Sequence, residues 1–194
     1  MRFGVLYGPM CVRFLTPLRP PPMVLAIDGA TRGRIMRWGL APSSCSSSYP
    51  LINATVGKLE TGSPWKFPWR SGQRRLFTMA GFCEPHLLPG GCKEPFGVRC
   101  GVGPMFGVAD TWAPARGGTE TLSCALVTMP ANELLAEVHN EKLRMPAVLR
   151  EESHVAWRSG SPEEALQALE PYPSDQMQAW QVSRRLYAKR TSDD

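Results

Sequence analysis

The chain has 194 residues, of which 43% are hydrophobic and 20% charged, a composition typical of a globular domain rather than a disordered chain. No stretch approaches about 18 consecutive apolar residues, so the sequence predicts no membrane-spanning helix. The net charge of +5 is uneven, because residues 1–100 carry 13 Lys and Arg against 4 Asp and Glu, and residues 101–194 carry 9 against 13. A basic first half favours an anionic partner, although the same excess also fits a solvated surface.

The contents of glycine, proline and cysteine indicate the type of fold and the cellular compartment. The 18 Gly and 19 Pro predict many turns, short strands and few long helices. We find no secretory signal, so we expect a cytoplasmic protein whose thiols are reduced rather than paired in disulfides. The six thiols are Cys11, Cys45, Cys83, Cys92, Cys100 and Cys124.

The first elements in chain order are short strands. We expect an irregular extended lead-in, a single domain and a short tail, over residues 1–22, 23–190 and 191–194 respectively. A hairpin of two strands, over residues 23–27 and 34–38, is predicted around the Asp28-Gly29 turn. A further strand is predicted over residues 76–80.

The second half of the domain mixes strands with short helices. Residues 85–104 are rich in Gly, Pro and Cys and predict a long surface loop. Further strands are predicted over residues 105–112, 121–129, 145–149 and 179–183. Thr128 is expected to cap a helix over residues 130–138, and a capping box from Ser161 to Glu164 predicts a helix that extends to about residue 170. The sum is a strand-dominated α+β single domain.

An aromatic and basic stretch over residues 65–75 is a candidate for nucleic-acid binding. Its rings and cations are Trp65, Phe67, Trp69, Lys66, Arg70, Arg74 and Arg75. Rings that stack on bases and cations that follow phosphates suit a single strand. The same pattern also fits rings that belong to the core and cations that face solvent, so both interpretations stay open.

Two titratable residues are candidates for proton transfer. Glu84 follows a predicted strand among apolar neighbours, a setting that raises the pKa of a carboxyl towards the range of a general acid or base. His139 ends a predicted helix, where the helix dipole favours the imidazolium form. The alternatives are a surface carboxylate at the start of a loop and a simple helix cap.

A zinc site is an alternative at four residues in or just before the predicted loop, Cys83, His86, Cys92 and Cys100. Their spacing lacks the paired short intervals of structural zinc sites. We therefore expect no metal and no other cofactor, while a zinc-stabilised interaction protein remains a competing hypothesis.

Several short motifs follow one another between residues 36 and 183. They are Met36-Arg37-Trp38-Gly39-Leu40-Ala41-Pro42, Leu51-Ile52-Asn53-Ala54, Lys58-Leu59-Glu60-Thr61, Gly81-Phe82-Cys83-Glu84, Val127-Thr128-Met129-Pro130-Ala131-Asn132, Val138-His139, Arg144-Met145-Pro146 and Gln181-Val182-Ser183. In content and order they resemble the SOS-response-associated peptidase family, the abasic-site processing proteins. The resemblance implies a β-barrel-like core with short helices around a basic cleft that binds single-stranded DNA, and we expect a monomer.

The resemblance also implies a chemistry, in which an N-terminal cysteine condenses with the ring-opened aldehyde of an abasic site to give a thiazolidine-type crosslink. By position, Cys11 is the nucleophile and Asn53 orients its amino group. Glu84 shuttles protons, His139 assists opening of the sugar, and Thr128 lines the same pocket. The implied DNA contacts are Arg37, Trp38, Lys58, Lys66 and Arg74.

Two of the departures of this sequence from the family pattern concern its beginning and the region around His139. The family begins Met-Cys, whereas here the matching pair is Met10 and Cys11, so we expect either initiation at Met10 or self-cleavage before Cys11, the second being the source of peptidase activity. Three inserted residues, 141–143, separate His139 from Arg144. The alternative function is a non-catalytic relative that binds single-stranded DNA and has lost the crosslinking cysteine.

Overall fold

Short strands dominate the part of the chain that the structure, a computed structural model, describes. That part comprises residues 5–7, 11–13, 23–27, 33–42, 51–101, 103–115 and 122–187. The strands are β1 (Val5–Tyr7), β2 (Cys11–Arg13), β3 (Met23–Ile27), β4 (Gly33–Trp38), β5 (Asn53–Thr55), β6 (Arg74–Met79), β7 (Phe82–Leu87), β8 (Lys93–Cys100), β9 (Phe106–Pro114), β10 (Leu122–Pro130), β11 (Arg144–Pro146), β12 (Val148–Leu149) and β13 (Met177–Gln181). The helices are α1 (Ser63–Arg70), α2 (Glu133–Val138), α3 (His154–Ser159) and α4 (Pro162–Gln167). The predicted strand-dominated α+β class is confirmed.

The larger sheet has the strand order β11-β10-β4-β3-β6-β9-β12, with β5 beside β10. Because β9 pairs with β10 as well as with β6, the sheet curls back on itself. Strands β9 and β10 are buried along almost their whole length, as expected for apolar strands covered on both faces. The predicted hairpin of β3 and β4 is confirmed.

A smaller sheet of order β13-β8-β7 contains the stretch that we predicted as a long surface loop, so that prediction is wrong. Residues in this stretch pair in register, with Pro85 opposite Pro95. The carbonyl of Pro95 accepts a hydrogen bond from the backbone N–H of Val182, on the side away from β7. The two prolines therefore face each other at a position where β7 and β8 need no N–H donor, which is where a ladder tolerates them.

The helices differ from the sequence prediction in how they begin. Thr128 lies inside β10, and Asn132 caps α2 instead, its side-chain oxygen accepting from the backbone N–H of Leu135 at 2.9 Å. The capping box at Ser161 is confirmed, although α4 ends at Gln167. Helices α1 and α3 were not predicted.

At the N-terminal end, the lead-in predicted as irregular includes the antiparallel pair β1 and β2. The serine-rich residues 43–48, which include Cys45, and the tail over 191–194 lie outside the described residues. Within the described ranges, no helix has the length and apolar character needed to cross a bilayer.

Candidate active site

Glu84 is a carboxyl removed from solvent in the middle of β7, with its Cα opposite that of Phe96. Its side chain is 0% exposed. Neither carboxyl oxygen has a hydrogen-bond partner among the described residues. Burial raises the pKa of Glu84 to about 8, and the nearby positive charge of Arg144 only partly opposes this. The pKa of Glu84 is therefore raised, as its apolar neighbours in the sequence predict, and the carboxyl is mainly protonated at neutral pH.

His139 is buried directly after the last turn of α2, and its backbone N–H donates to the carbonyl of Leu135. Its Nδ1 lies 2.9 Å from the carbonyl oxygen of Arg144. A carbonyl can only accept, so Nδ1 carries the proton and Nε2 is left as an acceptor. Burial lowers the pKa of His139, so the ring is neutral and not the expected imidazolium, because desolvation outweighs the hydrogen bond to the Arg144 carbonyl.

These two side chains meet, with Glu84 Oε2 at 3.5 Å from His139 Nδ1. They come from different parts of the fold, since β7 belongs to the smaller sheet and α2 follows β10 of the larger one. A protonated carboxyl beside a neutral imidazole is a pair that gives and takes protons near neutral pH. The structure thus brings together two residues that are 55 positions apart in the sequence.

A set of hydrogen bonds fixes β7 against the end of α2. The Asn140 side chain accepts from the backbone N–H of Leu87 at 2.9 Å and donates to the Leu87 carbonyl at 3.0 Å. His86 Nδ1 donates to the carbonyl of Glu137 at 3.0 Å. Asn140 was not among the predicted site residues, and its only signal in the sequence is its place directly after His139.

The inserted segment 141–143 adds to this attachment. Glu141 forms an ion pair with Lys93 at the start of β8. Leu143 has a φ of 49°, a left-handed conformation uncommon for a residue with a side chain, and its carbonyl accepts from the backbone N–H of Ala131. The insertion therefore closes the turn between His139 and β11 and links it to the β7–β8 hairpin.

Asn53 and Thr128 are placed together by the parallel pairing of β5 with β10. The Cα of Asn53 is opposite that of Leu126, and Thr128 lies two residues further on, on the same face of the sheet. Thr128 Oγ1 lies 3.5 Å from the carbonyl of Ala54. Thr128 is also opposite Pro146 in β11, the strand whose first residue holds His139. The fold thus connects both predicted pocket residues to the strand that orients the imidazole.

Three of the expected DNA contacts are accessible to different degrees. Lys58 and Lys66 are exposed. Arg37 is half-buried, and its Nε has no hydrogen-bond partner among the described residues.

The two other expected DNA contacts are buried, and those predictions are wrong for the conformation observed. Trp38 packs edge-on against Phe77 in the core, with its Nε1 donating to the carbonyl of Ile52 at 3.1 Å. Arg74 lies over the ring of Trp69, and its Nε donates to the carbonyl of Trp157 at 2.7 Å. Both side chains donate to backbone carbonyls inside the protein.

Cys11, the candidate nucleophile, begins β2, where its backbone is opposite Tyr7 of β1. Of the candidate zinc ligands, Cys83 and Cys100 are buried and Cys92 is exposed. No group of three or more potential metal ligands forms among the described residues. The fold gives the zinc hypothesis no support.

Solved structures of other proteins have a fold similar to that of this chain. The chain superimposes on a protein from Bacteroides thetaiotaomicron with a TM-score of 0.76 at 22% identity, covering 84% of this chain and 75% of that one. It superimposes on a phage-related protein from Bordetella bronchiseptica with a TM-score of 0.71 at 21% identity, covering 94% of each chain. These likenesses show the fold.

Similarity in sequence to named proteins and to a family model identifies the family of this chain. The chain is 28% identical to the abasic site processing protein YoqW of Bacillus subtilis over 76% of this chain and 68% of that protein. It is 28% identical to YoaM of the same organism over 84% and 75%, and 26% identical to HMCES of Gallus gallus over 59% and 41%. The model of the SOS response associated peptidase (SRAP) family matches residues 14–188, nearly the whole chain, and this protein therefore belongs to that family.

Proposed function

We propose that this protein processes abasic sites in single-stranded DNA and forms a covalent link to them through Cys11. The observation that carries the proposal is the buried contact of Glu84 with His139 at 3.5 Å. An acid with a pKa of about 8 beside a neutral imidazole suits a condensation in which protons are both taken up and released. Relatives named abasic site processing proteins support the same substrate.

The reaction requires no oxidant or reductant. The amine of Cys11 adds to the aldehyde carbon of the ring-opened sugar, and the carbonyl oxygen becomes a hydroxyl. That hydroxyl leaves as water with a proton from Glu84, which gives an imine, and the carboxylate then recovers the proton released from nitrogen. The Cys11 sulfur adds to the imine carbon, its proton passes to nitrogen, and a five-membered thiazolidine ring closes.

Each remaining residue has a part in this scheme. Asn53 orients the amino group of Cys11, Thr128 lines the pocket, and His139, through Nε2, assists opening of the sugar. The exposed Lys58 and Lys66 contact phosphates. The amine of Cys11 becomes free by initiation at Met10 or by hydrolysis of the bond before Cys11, a self-cleavage that accounts for peptidase activity.

The test is incubation with a single-stranded oligonucleotide that carries one abasic site, followed by a denaturing gel and intact-mass analysis of the protein. We expect a heat-stable shifted band, a protein whose first residue is Cys11, and loss of the band in Cys11→Ala. Glu84→Gln should slow band formation by about 10²- to 10⁴-fold, the usual size of a general acid–base contribution.

The same experiment identifies the alternative function. Salt-sensitive binding of the oligonucleotide without any heat-stable band would identify a binding protein that has lost covalent chemistry. A band that persists in Cys11→Ala would assign the nucleophile to another residue and overturn the proposal.

A further inference from the structure

Helix α1 divides the aromatic residues of the stretch over 65–75 into two classes. Trp65 and Trp69 are 6% and 2% exposed and belong to the core. Phe67 is 66% exposed, on the opposite side of the same helix. The core interpretation therefore holds for Trp65 and Trp69, and the binding interpretation stays open for Phe67.

The exposed side of α1 is basic as well as aromatic. Lys66 and Arg70 are exposed beside Phe67, and Lys58 is exposed just before the helix. None of these three cations takes part in an ion pair with another described residue. Glu60 is the one acidic residue among residues 58–75. The face combines one accessible ring with cations that no acidic side chain among the described residues pairs with.

The chain leads directly from the proposed pocket to this face. Asn53 begins β5, a 3-10 turn at Val56–Lys58 follows, and the carbonyl of Lys58 accepts from the backbone N–H of Gly62 at the start of α1. An eight-residue helix spans about 12 Å. The cations at its two ends therefore lie along a path that starts beside Asn53.

We propose that Phe67 stacks on a base of the single strand flanking the abasic site, while Lys58, Lys66 and Arg70 contact its phosphates. This inference rests on the proposed function and adds the surface that carries the flanking strand. A polyanion matches the charge of the face, and a base matches the single exposed ring. One ring on a short helix offers too little apolar area to hold a membrane surface.

The experiment measures binding of a fluorescently labelled oligo-dT without an abasic site by anisotropy, in a Cys11→Ala background. Phe67→Leu keeps an apolar side chain but loses the aromatic face, and we expect affinity to fall about fivefold or more. Phe67→Trp should bind at least as tightly as the parent. Lys66→Gln and Arg70→Gln should each reduce the slope of log affinity against log salt by about 0.7.

The matched control is Val155→Ala, because Val155 is 65% exposed on α3, in the acidic half of the chain. It should leave affinity unchanged. Equal affinity of Phe67→Leu and the parent would overturn the stacking contact. Loss of binding to vesicles of anionic phospholipid, with no loss for oligo-dT, would overturn it in favour of a lipid surface.

Failure of this inference is separable from failure of the proposed function. If no crosslink forms but affinity for oligo-dT depends on Phe67, the inference stands and the covalent chemistry falls. If a crosslink forms and Phe67→Leu binds as the parent does, the stacking contact alone falls.

Discussion

Glu84 Oε2 lies 3.5 Å from His139 Nδ1, yet the proton on that nitrogen is donated to the carbonyl of Arg144. The two side chains are therefore neighbours without being an ion pair. Burial keeps the acid protonated and the imidazole neutral, which avoids the cost of placing two charges in a dry interior. The Asn140 contacts attach β7, which carries Glu84, to the end of α2 next to His139.

The pKa of Glu84 predicts how the stability of the fold depends on pH. The pKa is about 8 in the folded protein against an ordinary 4.5, so folding favours the protonated form. This contribution is fully present below pH 4.5 and is lost as pH rises towards 8. We expect the difference in unfolding free energy between the parent and Glu84→Gln to shift against the parent by roughly 1 kcal/mol per pH unit in that window.

Chemical denaturation at several pH values measures this difference. His139, whose lowered pKa acts in the opposite direction below its ordinary value of 6.5, and Asp110 are present in both proteins, so the comparison isolates Glu84. Parallel stability curves for the two proteins would show that the acid is not protonated by burial.

The two nitrogens of His139 have separable roles. Asn places an amide nitrogen close to the position of Nδ1, so His139→Asn should keep the hydrogen bond to the Arg144 carbonyl and most of the stability. It removes Nε2, and the rate of crosslink formation should fall by about 10²-fold or more. His139→Ala should lose the rate and also about 1–3 kcal/mol of stability, because it leaves that carbonyl without its donor. Thermal unfolding and gel kinetics on the same samples separate the two effects, and equal stabilities would contradict the assignment.

Asn140 is expected to position the catalytic pair from outside it. Asn140→Ala removes both hydrogen bonds to Leu87 and should cost about 1–2 kcal/mol. Because β7 is then held less firmly against the end of α2, crosslink formation should slow without a change in affinity for intact single-stranded DNA. Asn140→Asp, which keeps the acceptor and loses the donor, should lie between the parent and the alanine variant. A full rate in Asn140→Ala would place the attachment elsewhere.

Arg74 and Lys66 form a matched pair of cations with opposite expected behaviour. Arg74→Gln leaves the carbonyls of Trp157 and Gly160 without their donor and should destabilise the fold by about 3 kcal/mol. Lys66→Gln should change stability by less than about 0.5 kcal/mol but weaken DNA binding. Denaturant titrations and binding isotherms at two salt concentrations check both. A stable Arg74→Gln protein with weakened DNA binding would restore Arg74 as a DNA contact.

Local signals in the sequence predicted the elements that depend on near neighbours. The Asp28-Gly29 turn predicted the hairpin of β3 and β4, and the capping box at Ser161 predicted α4. The β7–β8 hairpin was not predicted, because the Gly, Pro and Cys content of residues 85–104, which include Pro85 and Pro95, favours a loop. Only the register between the two strands, a long-range property, shows that neither proline removes a hydrogen bond of this pair.

The candidate site likewise has a local feature that the sequence predicts and a long-range contact that it does not. An apolar setting around Glu84 was visible in the sequence, whereas its contact with His139 depends on two sheets that meet only in three dimensions. The failures at Trp38 and Arg74 have a common cause. An aromatic ring or a guanidinium looks the same in the sequence whether its donors face a phosphate or a buried carbonyl.

The contact between Glu84 and His139 depends on the docking of the smaller sheet, which carries Glu84, against the end of α2, which carries His139. If the smaller sheet detached while the larger one kept its hydrogen bonds, Glu84 would leave with β7 and His139 would stay with α2. The acid would then enter water, its pKa would return towards 4.5, and it would lose its proton at neutral pH. Under the proposed function, partial opening would therefore remove the acid that supplies protons to the reaction.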